Sequence, residues 1–201
     1  MIDEEMNIVD NEATNKIDIL EYLEFCKSKW RQQNKKKDLM HAFLGMSSEV
    51  GELQSCVKKN IGYGREIDVV NVLEELGDLL FFSTMYMSLT DLFSDEKFVK
   101  DINEFINRPT MHSNVSEQEM CDETFDLISH VFDIYFMYYS TMEEEQRKEG
   151  LKTAMKQLFT SIRAFMSIFD FSFEKLMIAN KNKLNIRIKD KPDANLILNI
   201  S

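Results

Sequence analysis

The sequence predicts an all-α protein, a helical bundle built on an antiparallel four-helix core. Its 201 residues include only six glycines and two prolines, Pro109 and Pro192, which favours long, uninterrupted helices. Apolar residues recur at helical spacing, and a hydrophobic content of 44% suits a folded core. We expect one domain over residues 16–187.

The first part of the chain predicts a loose lead-in followed by one helix. Residues 1–15 are acidic and rich in Asn. Apolar residues between positions 17 and 25 predict a first helix that runs towards Trp30, and the basic, polar run 31–37 predicts a turn. Taken alone, Trp30 is expected to be a half-buried packing residue.

Two long helices are predicted next, with a glycine-containing breaker between them. The second helix follows Asp38, a candidate N-cap, and runs to about residue 59. Residues 60–64 contain two glycines that end it. The third helix follows Asp68, another candidate N-cap, and runs through residue 87.

Further helices are predicted in the second half. Ser116, with Glu119 three positions later, is a capping-box signature that opens a helix to about residue 139. Before this helix, a short helix is predicted over 95–107 and a loop over 108–114. After it come a charged turn or helix start over 143–150 and a helix over 151–169. A closing helix over 172–187 is followed by a tail over 188–201 that is predicted to be extended and suited to docking on a partner.

Two acidic motifs are the candidates for chemistry, Glu49-Val-Gly-Glu52 and Glu75-Leu-Gly-Asp78. In each, the i, i+3 spacing places two carboxylates on one helical face beside the apolar stripe. Either pair alone is typical of a solvated surface, but the same placement on consecutive helices favours convergence. Four converging carboxylates resist ionising together unless a cation neutralises them. Ligation by carboxylate oxygens alone indicates a hard ion, Mg²⁺ or Mn²⁺.

Three segments resemble the MazG-like, all-α nucleoside triphosphate pyrophosphohydrolases and follow in that family's order. They are His41-Ala-Phe-Leu-Gly-Met-Ser-Ser-Glu-Val-Gly-Glu-Leu53 with Val57-Lys-Lys59, Glu74-Glu-Leu-Gly-Asp-Leu-Leu80, and Asn180-Lys-Asn-Lys-Leu-Asn-Ile-Arg187. The chain departs from the pattern at Ser48, where the family often has Glu. All four expected ligand positions keep their acids, so the departure bears on the surroundings of the metal.

The resemblance implies Mg²⁺-dependent hydrolysis of a (deoxy)nucleoside triphosphate to the monophosphate and pyrophosphate. It makes Glu49, Glu52, Glu75 and Asp78 the metal ligands. Glu74 would orient a ligand or activate the attacking water. The implied substrate-binding residues are Lys59, Asn180, Lys183 and Arg187 for the phosphates, with Trp30 and His41 towards the nucleotide. Without the resemblance, Lys59 suits the helix dipole, and Lys183 with Arg187 suits a solvated basic helix end.

Two other functions stay open on the sequence. One is a non-catalytic helical protein that senses a nucleotide or binds a partner. The other is a related hydrolase that acts on phosphoribosyl-ATP or a guanosine alarmone. Base and sugar selectivity depend on the packing of pocket walls, which no motif encodes.

Composition limits the partners. A net charge of −11 argues against general affinity for nucleic acid or an anionic membrane. Three scattered cysteines favour free thiols in a reducing cytoplasm. We expect a homodimer or higher homo-oligomer, because two helices of the second half carry much apolar surface: Phe132, Phe136, Met137, Met155, Phe159 and Phe165.

Residues 116–176 contain a faint echo of residues 38–92. Residues 48–53 align with 129–134, and residues 80–83 with 158–161. Under this alignment only Asp133 keeps an acid, while His130, Thr153 and Lys156 replace the other three ligands. Two explanations stay open: a degenerate second helical hairpin that lost its metal site, and helix periodicity alone.

Overall fold

The computed structural model describes residues 16–189, with side chains through residue 186, and this part of the chain is all-α. The lead-in over 1–15 and the tail from residue 190 lie outside the described residues. The elements in order are α1 (Ile19–Lys29), α2 (Lys35–Tyr63), α3 (Val69–Leu89), a 3₁₀ turn (Leu92–Ser94), α4 (Glu96–Ile106), α5 (Glu117–Tyr138), α6 (Glu144–Ile168) and α7 (Phe173–Lys189).

Two helical hairpins form the core of the bundle. Helices α2 and α3 make the first hairpin, α5 and α6 make the second, and α2 packs against α5. In the first hairpin the Asn71 side chain donates to Cys56 Sγ at 3.0 Å. Asn71 lies early in α3 and Cys56 lies late in α2, so the two helices run antiparallel. Helices α1 and α7 also pack on α3 and on each other. The four-helix core predicted from the sequence is therefore present.

The first hairpin closes tightly at Gly45. A Cβ atom on this residue would lie 2.4 Å from the Phe82 ring, so only glycine lets that ring rest on α2. The contact brings the middle of α3 close to the middle of α2. The acidic motifs lie one turn further along, at the same close approach.

Two of the predicted helix starts are confirmed by their hydrogen bonds. Asp68 caps α3 by accepting from the Asn71 backbone N–H at 3.0 Å. Ser116 and Glu119 form a reciprocal capping box at the start of α5. Both caps satisfy backbone N–H groups that have no partner inside the helix.

The prediction that Asp38 caps the second helix is wrong. Helix α2 begins three residues earlier, and its cap is Asn34, whose side chain accepts from the Lys37 N–H at 3.0 Å. Asp38 is buried and accepts from the Trp30 indole N–H at 3.2 Å and from the Gln33 N–H at 3.1 Å. It therefore fastens the α1–α2 turn instead of opening the helix.

Other boundaries also differ from the prediction, and the open alternative for residues 143–150 is decided. Helix α2 continues through the first glycine of the breaker and ends at Gly64, whose φ of 61° is the left-handed cap that glycine favours. The charged segment 143–150 is a helix start, because α6 begins at Glu144. Helix α7 runs to residue 189, beyond the predicted start of the tail.

No helix in residues 16–189 combines the length and the apolar character that crossing a bilayer requires.

Candidate metal centre

Three glutamates from the first hairpin converge. Glu49 and Glu52 come from α2 and Glu75 comes from α3, and one carboxylate oxygen of each lies within 4.8 Å of the others. The i, i+3 spacing on α2 and the antiparallel packing of α3 produce this arrangement. Within residues 16–186 it is the one group of three or more side chains placed to share a metal ion. We call these residues the three-glutamate centre.

The three carboxylates differ in burial, which the helical wheel did not predict. Glu75 is buried, Glu49 is half-buried and Glu52 is exposed. Burial raises the pKa of Glu75 to about 8, and a hydrogen bond with Glu49 and the charge of Glu52 act in the same direction. Burial and the nearby charge of Asp78 likewise raise the pKa of Glu49. Helix α7 packs on α3, the helix that carries the most buried of the three carboxylates.

The three-glutamate centre fits a hard divalent cation. Two oxygens on opposite sides of Mg²⁺ lie about 4.2 Å apart, given metal–oxygen distances of about 2.1 Å. The three oxygens lie within 4.8 Å of one another, so a small movement of the side chains would bring them to that span. The donors are all carboxylate oxygens, which Mg²⁺ and Mn²⁺ prefer. A cation would also offset the repulsion that raises the pKa of Glu75.

Asp78, the fourth predicted ligand, stands beside this group and is held by α7. Asn180 Nδ2 donates to Asp78 Oδ1 at 2.8 Å, and Lys183 Nζ donates to Asp78 Oδ2 at 2.9 Å. Asp78 is only 8% exposed. The structure thus gathers three of the four acids within 4.8 Å and gives the fourth an amide and a lysine as neighbours.

Lys183 joins two acids of α3. Besides Asp78, its Nζ lies 3.4 Å from Glu74 Oε2. The resemblance assigned Lys183 and Asn180 to the phosphates, and the structure brings both to the edge of the three-glutamate centre. The side chain of Arg187, the remaining residue of that motif, lies outside the described residues.

The other predicted binding residues lie further away. Lys59 is exposed, seven residues and so about 10 Å beyond Glu52 along α2. His41 lies eight residues, about 12 Å, before Glu49. Trp30 is half-buried, and its ring packs against His41 with centroids 4.5 Å apart and the planes tilted by 31°. The Trp30 ring also packs against Phe81 and Phe82, so its surroundings agree with the packing interpretation.

Tyr22 is a neighbour of the site that sequence reasoning missed. Its hydroxyl donates to Asn180 Oδ1 at 2.8 Å, and the side chain is 1% exposed. Its position on the buried face of α1 follows from helical periodicity, but no motif marks a tyrosine there as polar. The only signal was a hydroxyl on an otherwise apolar face, which must find a partner when buried.

The aligned positions of the second hairpin do not form a comparable centre. Lys156 pairs with Asp101 of α4 at 2.7 Å. Thr153 and Asp133 are exposed, and the His130 Nδ1 to Asp133 Oδ2 distance is 3.5 Å. The acids and the lysine of the site thus come from α2, α3 and α7.

Similarity to known proteins adds no assignment for this chain. Comparison with protein-family models, with curated proteins and with solved structures found no match. The chemical possibilities of the three-glutamate centre therefore follow from its own residues: carboxylates for a hard cation, and a lysine and an amide beside them.

Proposed function

We propose that the chain is a Mg²⁺-dependent nucleoside triphosphate pyrophosphohydrolase of the MazG-like type. The observation that carries the proposal is the convergence of Glu49, Glu52 and Glu75 within 4.8 Å. A purely structural bundle has no physical need for three acids at this distance, because they repel one another. The acidic motifs and the Asn180–Lys183 motif, which resemble that family, meet at this point.

Each group has a role that follows from its charge. Mg²⁺ or Mn²⁺, when bound, would offset the negative charge that builds on the triphosphate oxygens during attack at the α-phosphorus. Glu49, Glu52 and Glu75 would hold the ion, with Asp78 completing the set. Lys183, the basic side chain that contacts the acids, would attract the phosphates.

Glu74 is the candidate general base. Its side chain is 45% exposed, so water can reach it, and it precedes Glu75 in the chain. Its ion pair with Lys183, at 3.4 Å, keeps the carboxylate beside the site. A proton taken from the attacking water would stay close to the reacting phosphate.

A nucleotide panel tests the proposal. Purified protein with Mg²⁺ is offered each ribo- and deoxynucleoside triphosphate, and the release of pyrophosphate is compared with that of orthophosphate. We expect pyrophosphate from at least one of them. Glu75→Gln should abolish turnover while the helical content is kept, and Asp133→Asn, which removes an exposed acid on α5, should leave turnover unchanged. Turnover by Glu75→Gln at the wild-type rate would contradict the site assignment.

The same panel separates the alternatives. Phosphoribosyl-ATP and a guanosine alarmone belong in it, since a hydrolase for either would use the same acids. Nucleotide binding with no product points to a sensor. A rise in melting temperature with Mg²⁺, larger when nucleotide is added, is expected for the proposed enzyme because ligands stabilise the state that binds them.

An exposed stripe on α5 favours self-association of the protein. Four aromatic side chains lie on one face of α5 and its C-cap: Phe125, Phe132, Phe136 and Tyr139. By contrast Met155, Phe159 and Phe165 are fully buried within the bundle. We propose a homodimer or higher homo-oligomer that buries the stripe, in the cytoplasm, where nucleoside triphosphates are available.

A further inference from the structure

The buried hydroxyl of Tyr22 lies at the far end of a hydrogen-bond chain that reaches Asp78. Tyr22 Oη donates to Asn180 Oδ1 at 2.8 Å, and Nδ2 of the same amide donates to Asp78 Oδ1 at 2.8 Å. Tyr22 is 1% exposed and Asn180 is 2% exposed, so bulk water does not compete for these bonds. The chain links α1, α7 and α3 at one point.

The Tyr22 hydroxyl and the Asp78 carboxylate together fix which way the Asn180 amide points. An amide has one accepting and one donating end, whereas an ionised carboxylate only accepts. With the amide reversed, Asn180 Oδ1 would face an Asp78 oxygen and repel it. Donation from Tyr22 to Oδ1 favours the orientation in which Nδ2 faces Asp78. Burial raises the pKa of Tyr22 well above its ordinary value, so the hydroxyl keeps the proton that it donates.

The amide in turn fixes Asp78. One oxygen of Asp78 accepts from Asn180 and the other from Lys183, so α7 holds the carboxylate from two sides. Asp78 follows Glu75 by three residues on α3, so its negative charge lies about one helical turn from the three-glutamate centre. A change in the direction of Asp78 would therefore change the field in which a cation and a triphosphate bind.

We infer that Tyr22 is a positioning residue: through Asn180, it fixes the orientation of the Asp78 carboxylate beside the three-glutamate centre without touching metal or substrate. This inference rests on the proposed function for its effect on turnover. Loss of the hydroxyl lowers kcat roughly tenfold, as is typical when a partner of a metal-site residue is removed, and changes KM little.

The test is a double-mutant cycle on the full chain. Tyr22→Phe removes one oxygen, Asn180→Ala removes the amide, and the double variant removes both. Turnover is measured with Mg²⁺ and the best triphosphate of the panel, and the melting temperature is measured for each. If Tyr22 acts through Asn180, then Tyr22→Phe lowers kcat roughly tenfold in the wild-type background and leaves it unchanged in the Asn180→Ala background.

Tyr86→Phe is the matched control. Tyr86 is another buried tyrosine, 2% exposed, on the same helix as Asp78, and its ring packs against Tyr138 at a centroid distance of 6.1 Å. This variant should keep the wild-type kcat. An equal fall in kcat for Tyr22→Phe in both backgrounds, or no fall in the wild-type background, overturns the inference.

A second readout does not depend on turnover. The side-chain amide signal of Asn180 in a ¹H–¹⁵N spectrum is assigned by its loss in Asn180→Ala. Tyr22→Phe should shift this signal, and Tyr86→Phe should not. An unshifted signal overturns the inference even in an active enzyme. A shifted signal in a protein that hydrolyses no triphosphate supports the hydrogen-bond chain and shows that the proposed function is wrong.

Discussion

Gly51 and Gly77 occupy the same place in the two acidic motifs and have different surroundings. A Cβ atom on Gly51 would meet nothing within 4 Å. A Cβ on Gly77 would lie 3.1 Å from Asn180 Cβ and 3.2 Å from Asn180 Nδ2. The second glycine therefore gives α7 the close approach that lets Asn180 reach Asp78, whereas the first has no such packing reason.

This contrast gives a prediction for alanine at each position. Gly51→Ala should raise the free energy of unfolding by about 0.5–1 kcal/mol, because alanine is the better helix former. Gly77→Ala should lose that gain and lower kcat, because Asn180 must move by a few tenths of an ångström. Denaturant unfolding and turnover of both variants check this. Equal stabilisation, with kcat unchanged in Gly77→Ala, would contradict the role of the close approach.

Glu75 makes the stability of the metal-free protein depend on pH. In the native state Glu75 holds its proton up to about pH 8, whereas the ordinary pKa of glutamate is 4.5. Between these values the native state binds more protons than the unfolded state, so the free energy of unfolding falls as pH rises. We expect the melting temperature in EDTA to decrease from about pH 5 to about pH 8.

Two controls belong to this pH series. Glu75→Gln should flatten the decrease, because glutamine does not titrate, and added Mg²⁺ should restore stability most strongly at the alkaline end. The same slope in the wild type and in Glu75→Gln would show that other groups cause the pH dependence.

At the scale of elements, Asp38 joins α1 to α2 through the protein's only tryptophan. Asp38→Ala leaves the half-buried Trp30 N–H without its acceptor and should lower the free energy of unfolding by about 1–3 kcal/mol. Trp30 fluorescence should shift to the red as water reaches the indole. As a control, Asp68→Ala removes the cap of α3, at about 1 kcal/mol, and should leave the emission unchanged. An unshifted emission in Asp38→Ala would argue against this anchor.

Local sequence signals predicted most of the helices. The apolar period located them, and the Asp68 cap and the Ser116–Glu119 box gave their starts correctly. The prediction for Asp38 was wrong because an aspartate that caps a helix and one that serves as a buried acceptor look alike in sequence. Only the folded turn shows that the Trp30 N–H needs an acceptor. Rules for helix caps consider only neighbouring residues, whereas the role of Asp38 depends on Trp30 at the end of α1.

For the candidate site too, local spacing predicted some features, and the packing of distant helices determined the others. Spacing alone placed Glu49, Glu52 and Glu75 together. It did not predict that Asp78 would be held by Lys183 and Asn180, because that depends on how α7 docks on α3. Tyr22 could not be selected at all, since its partner is 158 residues away in sequence.

At the scale of the molecule, the stripe on α5 predicts the oligomeric state. Phe125, Phe132, Phe136 and Tyr139 are between 46% and 63% exposed, and their spacing keeps them on one helical face. We expect light scattering to show a dimer or larger species at micromolar concentration, and Phe132→Glu to shift it to monomer with helical content unchanged. Burying a carboxylate in an apolar interface is unfavourable, so Phe132→Glu should weaken the association.

Val70→Glu is the control for this prediction. Val70 is 70% exposed at the start of α3, away from the stripe, so its variant should keep the wild-type mass. A wild-type protein that is monomeric at micromolar concentration would contradict self-association through α5.

The groups of the candidate site come from distant parts of the chain, which limits when each contact can form during synthesis. A ribosome makes α2 and α3 early, and their hairpin can gather the three glutamates from residues at most 26 apart in the chain. Of the described helices, α7 is made last, so Asn180 and Lys183 can reach Asp78, and Tyr22 can reach Asn180, only after α7 docks. A nascent chain would thus hold an acidic cluster able to attract cations before it has the groups that complete the site. The docking of α7 on α3 is therefore the folding step at which the acidic cluster would gain its amide and its lysine.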